Sequence, residues 1–150
     1  MNRGLIAALS AVATAQLLKI PIRYARTGHL HLSQIATTGG MPSSHSAGVC
    51  ALITYIGLKR GVKSVDFALS SLFGVIVMYD AMGIRRHAGE IAVEVNEMDI
   101  QLERLAKEHP GIYHKRREQE LKEMLGHLPE EVAAGAVVGA AIGALTYALN

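Results

Sequence analysis

Eleven of the thirteen acidic residues in this 150-residue chain lie between Glu90 and Glu131, and Asp66 and Asp80 are the only others. Segregation of that kind constrains the fold more than any motif does, because it leaves long stretches that water cannot solvate. Gly4 to Leu18 carries no charge, and its apolar character continues past Lys19 through Ile20, Pro21 and Ile22. That is about the 20 residues needed to cross a bilayer. Phe67 to Ile84 carries one charge, Asp80, and Val132 to Leu149 carries none. Val49 to Leu58 is shorter, and it spans only if the helix begins near Ser44 and includes Ser46, Ala47 and Gly48. A backbone in lipid must satisfy its own hydrogen bonds, so these runs predict an all-α integral membrane bundle of about four spans, with both termini on one side. Arg3 before an apolar stretch also fits a signal peptide, but Lys19 and the polar residues after it offer no cleavage-site context, so the first run reads as a retained span.

The other composition features exclude more than they assign. A net charge of +2 with no aromatic-interleaved basic patch argues against nucleic acid. The single cysteine, Cys50, cannot form an intrachain disulfide and reads as packing. The chain reads as one domain, 1–150, with a water-soluble helical insertion at 87–126. Within it, Ile91, Val95, Met98, Leu102 and Leu105 recur in steps of four and three, the seam of an amphipathic helix. Pro110-Gly111 should break that helix, and Lys115 to Leu125 reads as a second charged helix. The expected role of the insertion is to cap the bundle or to dimerise. A homodimer would use either 88–108 or the small-residue face Gly135, Gly139 and Gly143 of the last span.

The sequence around His45 is the first sign of chemistry. Gly39-Gly40-Met41-Pro42-Ser43-Ser44-His45-Ser46 runs into the second apolar segment, so its serines and free first-turn N–H groups form a ready cradle for an anion. The plainer reading is a capping loop, with Ser43 or Ser44 as N-cap and His45 merely exposed. In an up-down-up-down bundle, Lys19, His45, Arg85 and Arg86, and the stretch His127 to Glu131 all fall at one end. Ionisable groups at membrane depth usually line a site. Glu131 lies four residues after His127, which places both on one helical face if the last helix has begun, so the carboxylate can orient the imidazole. Asp80 reads as the local ion-pair partner of Arg85 or Arg86.

Pro42-Ser43-Ser44-His45, together with His127-x-Pro129-x-Glu131-Val132 and Gly135, resembles the second and third signature motifs of the type-2 phosphatidic acid phosphatase superfamily, which includes lipid phosphate phosphatases and vanadium haloperoxidases. Lys19 and Arg26 keep the Lys-x6-Arg spacing of its first motif, with Thr27 in place of proline. The wording Gly39-Gly40-Met41-Pro42-Ser43-Ser44-His45-Ser46-Ala47 and Gly83-x-Arg85-Arg86-x-Ala88-Gly89 is similar to the family's divergent branch of small membrane proteins, over nearly the whole chain. Three departures stand out: Ser44 replaces the motif glycine, Glu131 the aspartate, and Leu121 the third-motif arginine. Arg85 or Arg86 is the expected replacement donor, with Lys122 the weaker one.

The resemblance implies a metal-independent membrane phosphatase acting on a lipid or isoprenoid phosphate. His127 would be the nucleophile, His45 the acid, and Glu131 the orienting carboxylate, with Lys19, Ser43, Ser44, Arg85 and Arg86 as phosphate-binding candidates. No cofactor is expected, and vanadate should inhibit. The rivals are a catalytically altered membrane scaffold or lipid- or anion-binding protein of the same fold, a haloperoxidase, and a metalloenzyme using His45, His87, His127 and Glu131. Localisation to the cell membrane is expected. The distribution of lysine and arginine places the active face on the cytoplasmic side.

Overall fold

A computed structural model describes residues 2–28, 39–109, 111, 113–115, 117, 119–123 and 125–149, without the side chain of Arg26. Five helices form among the described residues: α1 (Arg3–Thr27), α2 (Ser44–Arg60), α3 (Val65–Met82), α4 (Ile84–Glu108) and α5 (Pro129–Ala148). Their starts follow local chemistry. Asn2, Ser43 and Ser64 cap α1, α2 and α3 by accepting from the N–H groups of Leu5, Ser46 and Phe67. Pro129 occupies the first turn of α5, where no intrahelical N–H is needed.

The helix α2 is the axis of the bundle, with α1, α3 and α5 packed around it. Small residues set the spacing. Gly135, Gly139 and Gly143 lie on successive turns of α5 against the carbonyls of Ser43, Ala47 and Ala51 on successive turns of α2. A methyl group at any of the three would strike those carbonyls, so the two backbones approach as closely as small-residue membrane interfaces allow. Ala7, Ala11, Ala15, Ala47, Ala51 and Tyr55 complete the buried centre, while Leu69, Leu72, Phe73 and Ile76 of α3 point outward, as lipid-facing residues should. Tyr55 near the end of α2 meets Tyr147 at the end of α5, with ring centroids 6.5 Å apart. The chain therefore runs up-down-up-down through α1, α2, α3 and α5.

Among the described residues, three helical stretches are long and apolar enough to cross a membrane: Arg3–Ala25, one within Val65–Glu108, and Pro129–Ala148. The fourth expected span, α2, has 17 residues and is about 26 Å long. Its shortness matters less because protein, not lipid, surrounds much of it.

Several expectations are corrected by the structure. The second charged helix expected over Lys115 to Leu125 does not form among the described residues, which are non-helical there. The segment instead runs back along α4, and its main-chain groups bond to side chains of that helix. Residues 84–86 belong to α4 and not to the third span, because Gly83 both closes α3, donating to Tyr79 O at 2.8 Å, and opens α4, accepting from His87 N at 3.0 Å. The glycine face of α5 is covered by α2 within one chain, so it is not presented to a second copy. The seam of α4 is exposed, Ile91 62 % and Met98 55 % accessible, and its other face, with Gly89 and Asn96, is covered by the segment around Leu121 to Leu125 and not by the bundle.

Candidate active site

The loop before α2 and the loop before α5 are joined at the backbone. Ser43 N donates to Glu131 O at 2.9 Å, and His127 N donates to Ala81 O at 2.9 Å, so the starts of α2 and α5 and the end of α3 are held at one level. Gly40 takes a positive φ of 90° in the turn that leads to Ser43. Lys19, almost buried in α1, donates from Nζ to Gly39 O at 2.9 Å and ties that turn to the first helix.

His127 is 2 % exposed. Its Nδ1 lies 3.0 Å from Glu131 Oε2, and the same carboxylate oxygen accepts from Leu128 N at 3.2 Å. With Nδ1 carrying the proton toward the carboxylate, Nε2 is left as the basic nitrogen. That nitrogen is buried and makes no hydrogen bond among the described residues. The ring of His45 stands edge-on to it, with centroids 5.7 Å apart and planes at 67°. Burial pushes the pKa of His127 below its ordinary value, and Lys19 and Arg85 push the same way; the hydrogen bond and charge of Glu131 oppose them. The neutral imidazole is the favoured form, which suits a nucleophile.

The structure brings most of the expected residues together and distributes their roles. A cavity of about 190 Å³ is lined by Gly39, Gly40, Arg86, Leu125, Gly126, His127, Leu128 and Glu131. Arg86 is thus at the cavity, and its Nε is 3.1 Å from Glu90 Oε1. Arg85 pairs with Asp80 at 2.7 Å, the local ion pair expected of that aspartate. Ser43 is fully buried and caps α2 through Oγ, so the capping reading holds for it, while Ser44, also buried, opens the helix. Its N–H and that of His45 lie in the first turn of α2, where helix geometry supplies no partner. His45, Ser43, Ser44 and Lys19 do not line this cavity. The side chain of Arg26 lies outside the described residues. Among the described residues no group of three or more histidine, cysteine, aspartate or glutamate side chains gathers as a metal site, and His87 pairs with Glu90 at 3.0 Å.

Gly126 belongs to none of the motifs read from the sequence, yet it shapes the site. Its φ is +82°, and a Cβ there would meet the backbone of Arg85 and Arg86, so only glycine lets the His127 segment lie against the start of α4. A glycine directly before the candidate nucleophile was the available signal.

The helices define an all-α bundle of the membrane-protein type, at one end of which a buried histidine contacts a carboxylate and stands beside a second histidine. Residues 1–142 match the divergent PAP2 family, and the chain belongs to that family. It is 45 % identical over 141 residues to the uncharacterized membrane protein YuiD of Bacillus subtilis (strain 168), covering 92 % of this chain and 89 % of that one. No solved structure matches.

Proposed function

We propose that the protein hydrolyses a lipid or isoprenoid phosphate monoester or diphosphate through a phosphohistidine at His127. The observation that carries this reading is the His127–Glu131 contact at 3.0 Å, with Nε2 buried and without a partner among the described residues and the His45 ring 5.7 Å from that of His127. In the first step Nε2 attacks phosphorus, the P–O bond to the leaving group breaks, and protonated His45 gives that oxygen its proton. In the second step water attacks the phosphohistidine, His45 takes the water's proton, and inorganic phosphate leaves. Arg86 at the cavity, Arg85 and Lys19 nearby, and the first-turn N–H groups at Ser44 and His45 stabilise the charge on the phosphoryl oxygens. The chemistry calls for no metal, and vanadate should inhibit by adopting the geometry of the transition state. A site at one end of a membrane bundle can reach a phosphate whose acyl or prenyl tail stays in the bilayer.

A second reading has its own observation. Arg85, Arg86 and Lys19 all hold partners within the chain, Asp80, Glu90 and Gly39 O, as they would in an anion-binding or scaffold protein without turnover. Phosphate release by detergent-solubilised protein, assayed on phosphatidic acid and prenyl diphosphate with His127→Ala as control, separates the two. Release lost in His127→Ala supports the enzyme. Absence of release by the wild type, with vanadate still bound, supports the binding protein. The exposed stripe of α4 is the surface on which a homodimer would form.

A further inference from the structure

We propose that Asn96, on α4, is a positioning residue for His127; this rests on the reading of His127 as nucleophile. Asn96 is 7 % exposed and far in sequence from both histidines. Its carboxamide takes both main-chain groups of Leu121, accepting from N at 3.0 Å and donating to O at 3.0 Å, and Nδ2 donates again to Glu123 Oε1 at 2.9 Å. Both Nδ2 hydrogens and Oδ1 are therefore satisfied, and one side chain supplies the pairing that a neighbouring strand would give.

From Leu121 the segment descends α4 in register. Gly89 accepts the approach of Glu123 O and Leu125, Gly126 lies on the backbone of Arg86, and His127 N reaches Ala81 O at 2.9 Å. That course is not fully extended, since Leu125 N donates to Glu123 O at 2.9 Å, and it is held at both ends, by Asn96 at Leu121 and by Ala81 O at His127 N. A slip of one residue at Asn96 would shift His127 by about 3 Å, far beyond what an in-line attack tolerates. Asp99, one turn further on, adds a second anchor: its Oδ2 accepts from Arg117 N at 3.2 Å and its Oδ1 lies 2.9 Å from His114 Nε2. The role of Asn96 is to fix the register of the segment that presents the nucleophile, acting through Leu121 and not on substrate.

The test uses the full-length protein in detergent, with phosphatidic acid as substrate and diethyl pyrocarbonate as a probe of His127, mapped by peptide mass spectrometry. Asn96→Ala should lower kcat by roughly ten- to a hundredfold with KM within about twofold, and should raise the modification rate of His127 about tenfold, because the register no longer buries it. Lys63→Ala, at the opposite end of the bundle, should change neither. Asn96→Asp keeps the acceptor for Leu121 N, loses the donor to Leu121 O and sets a carboxylate against Glu123, and should also lower kcat; adding Glu123→Gln relieves only the last of these and should recover part of the loss. This pair decides the matter if Asn96→Ala fails to fold. An effect on KM alone, an unchanged His127 modification rate, or no recovery in the combined variant overturns the proposal. If the wild type releases no phosphate, the phosphatase reading falls, while the modification rates still decide the part played by Asn96.

Discussion

A carboxylate 3.0 Å from one imidazole nitrogen does two opposed things to His127. It orients the ring so that Nε2 points away from it, and it raises a pKa that burial has lowered. Glu131→Gln separates them. Orientation by a weaker, neutral partner should reduce turnover by about a hundredfold or more, whereas loss of the charge should lower the His127 pKa further. The acid limb of kcat/KM should then move to lower pH even as the rate falls, a combination that simple unfolding does not produce. Linkage gives a companion sign. Since the folded pKa lies below the unfolded value of about 6.5, the stability that neutral His127 contributes is complete above that value and is lost as pH falls through the depressed one. The two histidines should also fail differently. His127→Ala should abolish both turnover and the acid-labile, base-stable phosphoenzyme, while His45→Ala should retain phosphoenzyme from a substrate whose leaving group needs no protonation. His127→Ala with wild-type turnover would remove it as nucleophile.

Among the elements, the pairing of α2 with α5 is the most sensitive to volume. Gly139 sits on the backbone of Ala47, and Gly139→Leu should destabilise by about 1–3 kcal/mol or more, read as a lower thermal midpoint in detergent. Ala140→Leu, on the exposed side of the same helix, should stay within about 0.5 kcal/mol of wild type. This helix also shows what the sequence could and could not reveal. The four-residue spacing of Gly135, Gly139 and Gly143 announces a close helix contact, but spacing cannot say whether the partner lies in the same chain. The seam of α4 is legible for the same reason, since a 4-3 repeat makes a helix wherever its apolar face ends up. The segment after it was not legible. Lys115 to Leu125 has the charged composition of a solvated helix, yet Leu121 bonds to Asn96, 25 residues away, and no local pattern records such a partner. At the site, the grouping of Lys19, His45, Arg86, His127 and Glu131 at one end follows from helix order, and a serine cap and an Asp80–arginine pair are legible too, whereas which serine caps and which arginine pairs are set by packing that no local pattern records.

For the whole molecule, the open physical question is which side of the membrane the site faces, and the charges argue it. By chain order, Arg3, Lys59, Arg60 and Lys63 lie at the end that carries both termini; the other eleven lysines and arginines belong to the connections at the active end. Cytoplasmic loops carry the excess of lysine and arginine, so the active end is predicted to face the cytoplasm. Part of that excess has another cause: Lys19, Arg85 and Arg86 sit where a phosphate would demand them on either side. Leaving those three out, eight remain against four, and the sign is unchanged. The measurement is labelling of single cysteines by an impermeant maleimide in intact cells, in a background with Cys50 replaced. Lys63→Cys and Lys115→Cys suit it because both positions are exposed and lie at opposite ends of the bundle. Reaction at position 63 alone is the expected result, with position 115 reacting only after the cells are opened. Reaction at position 115 alone would place the histidines on the outer face, where their substrate would be a phosphate displayed on the outer leaflet.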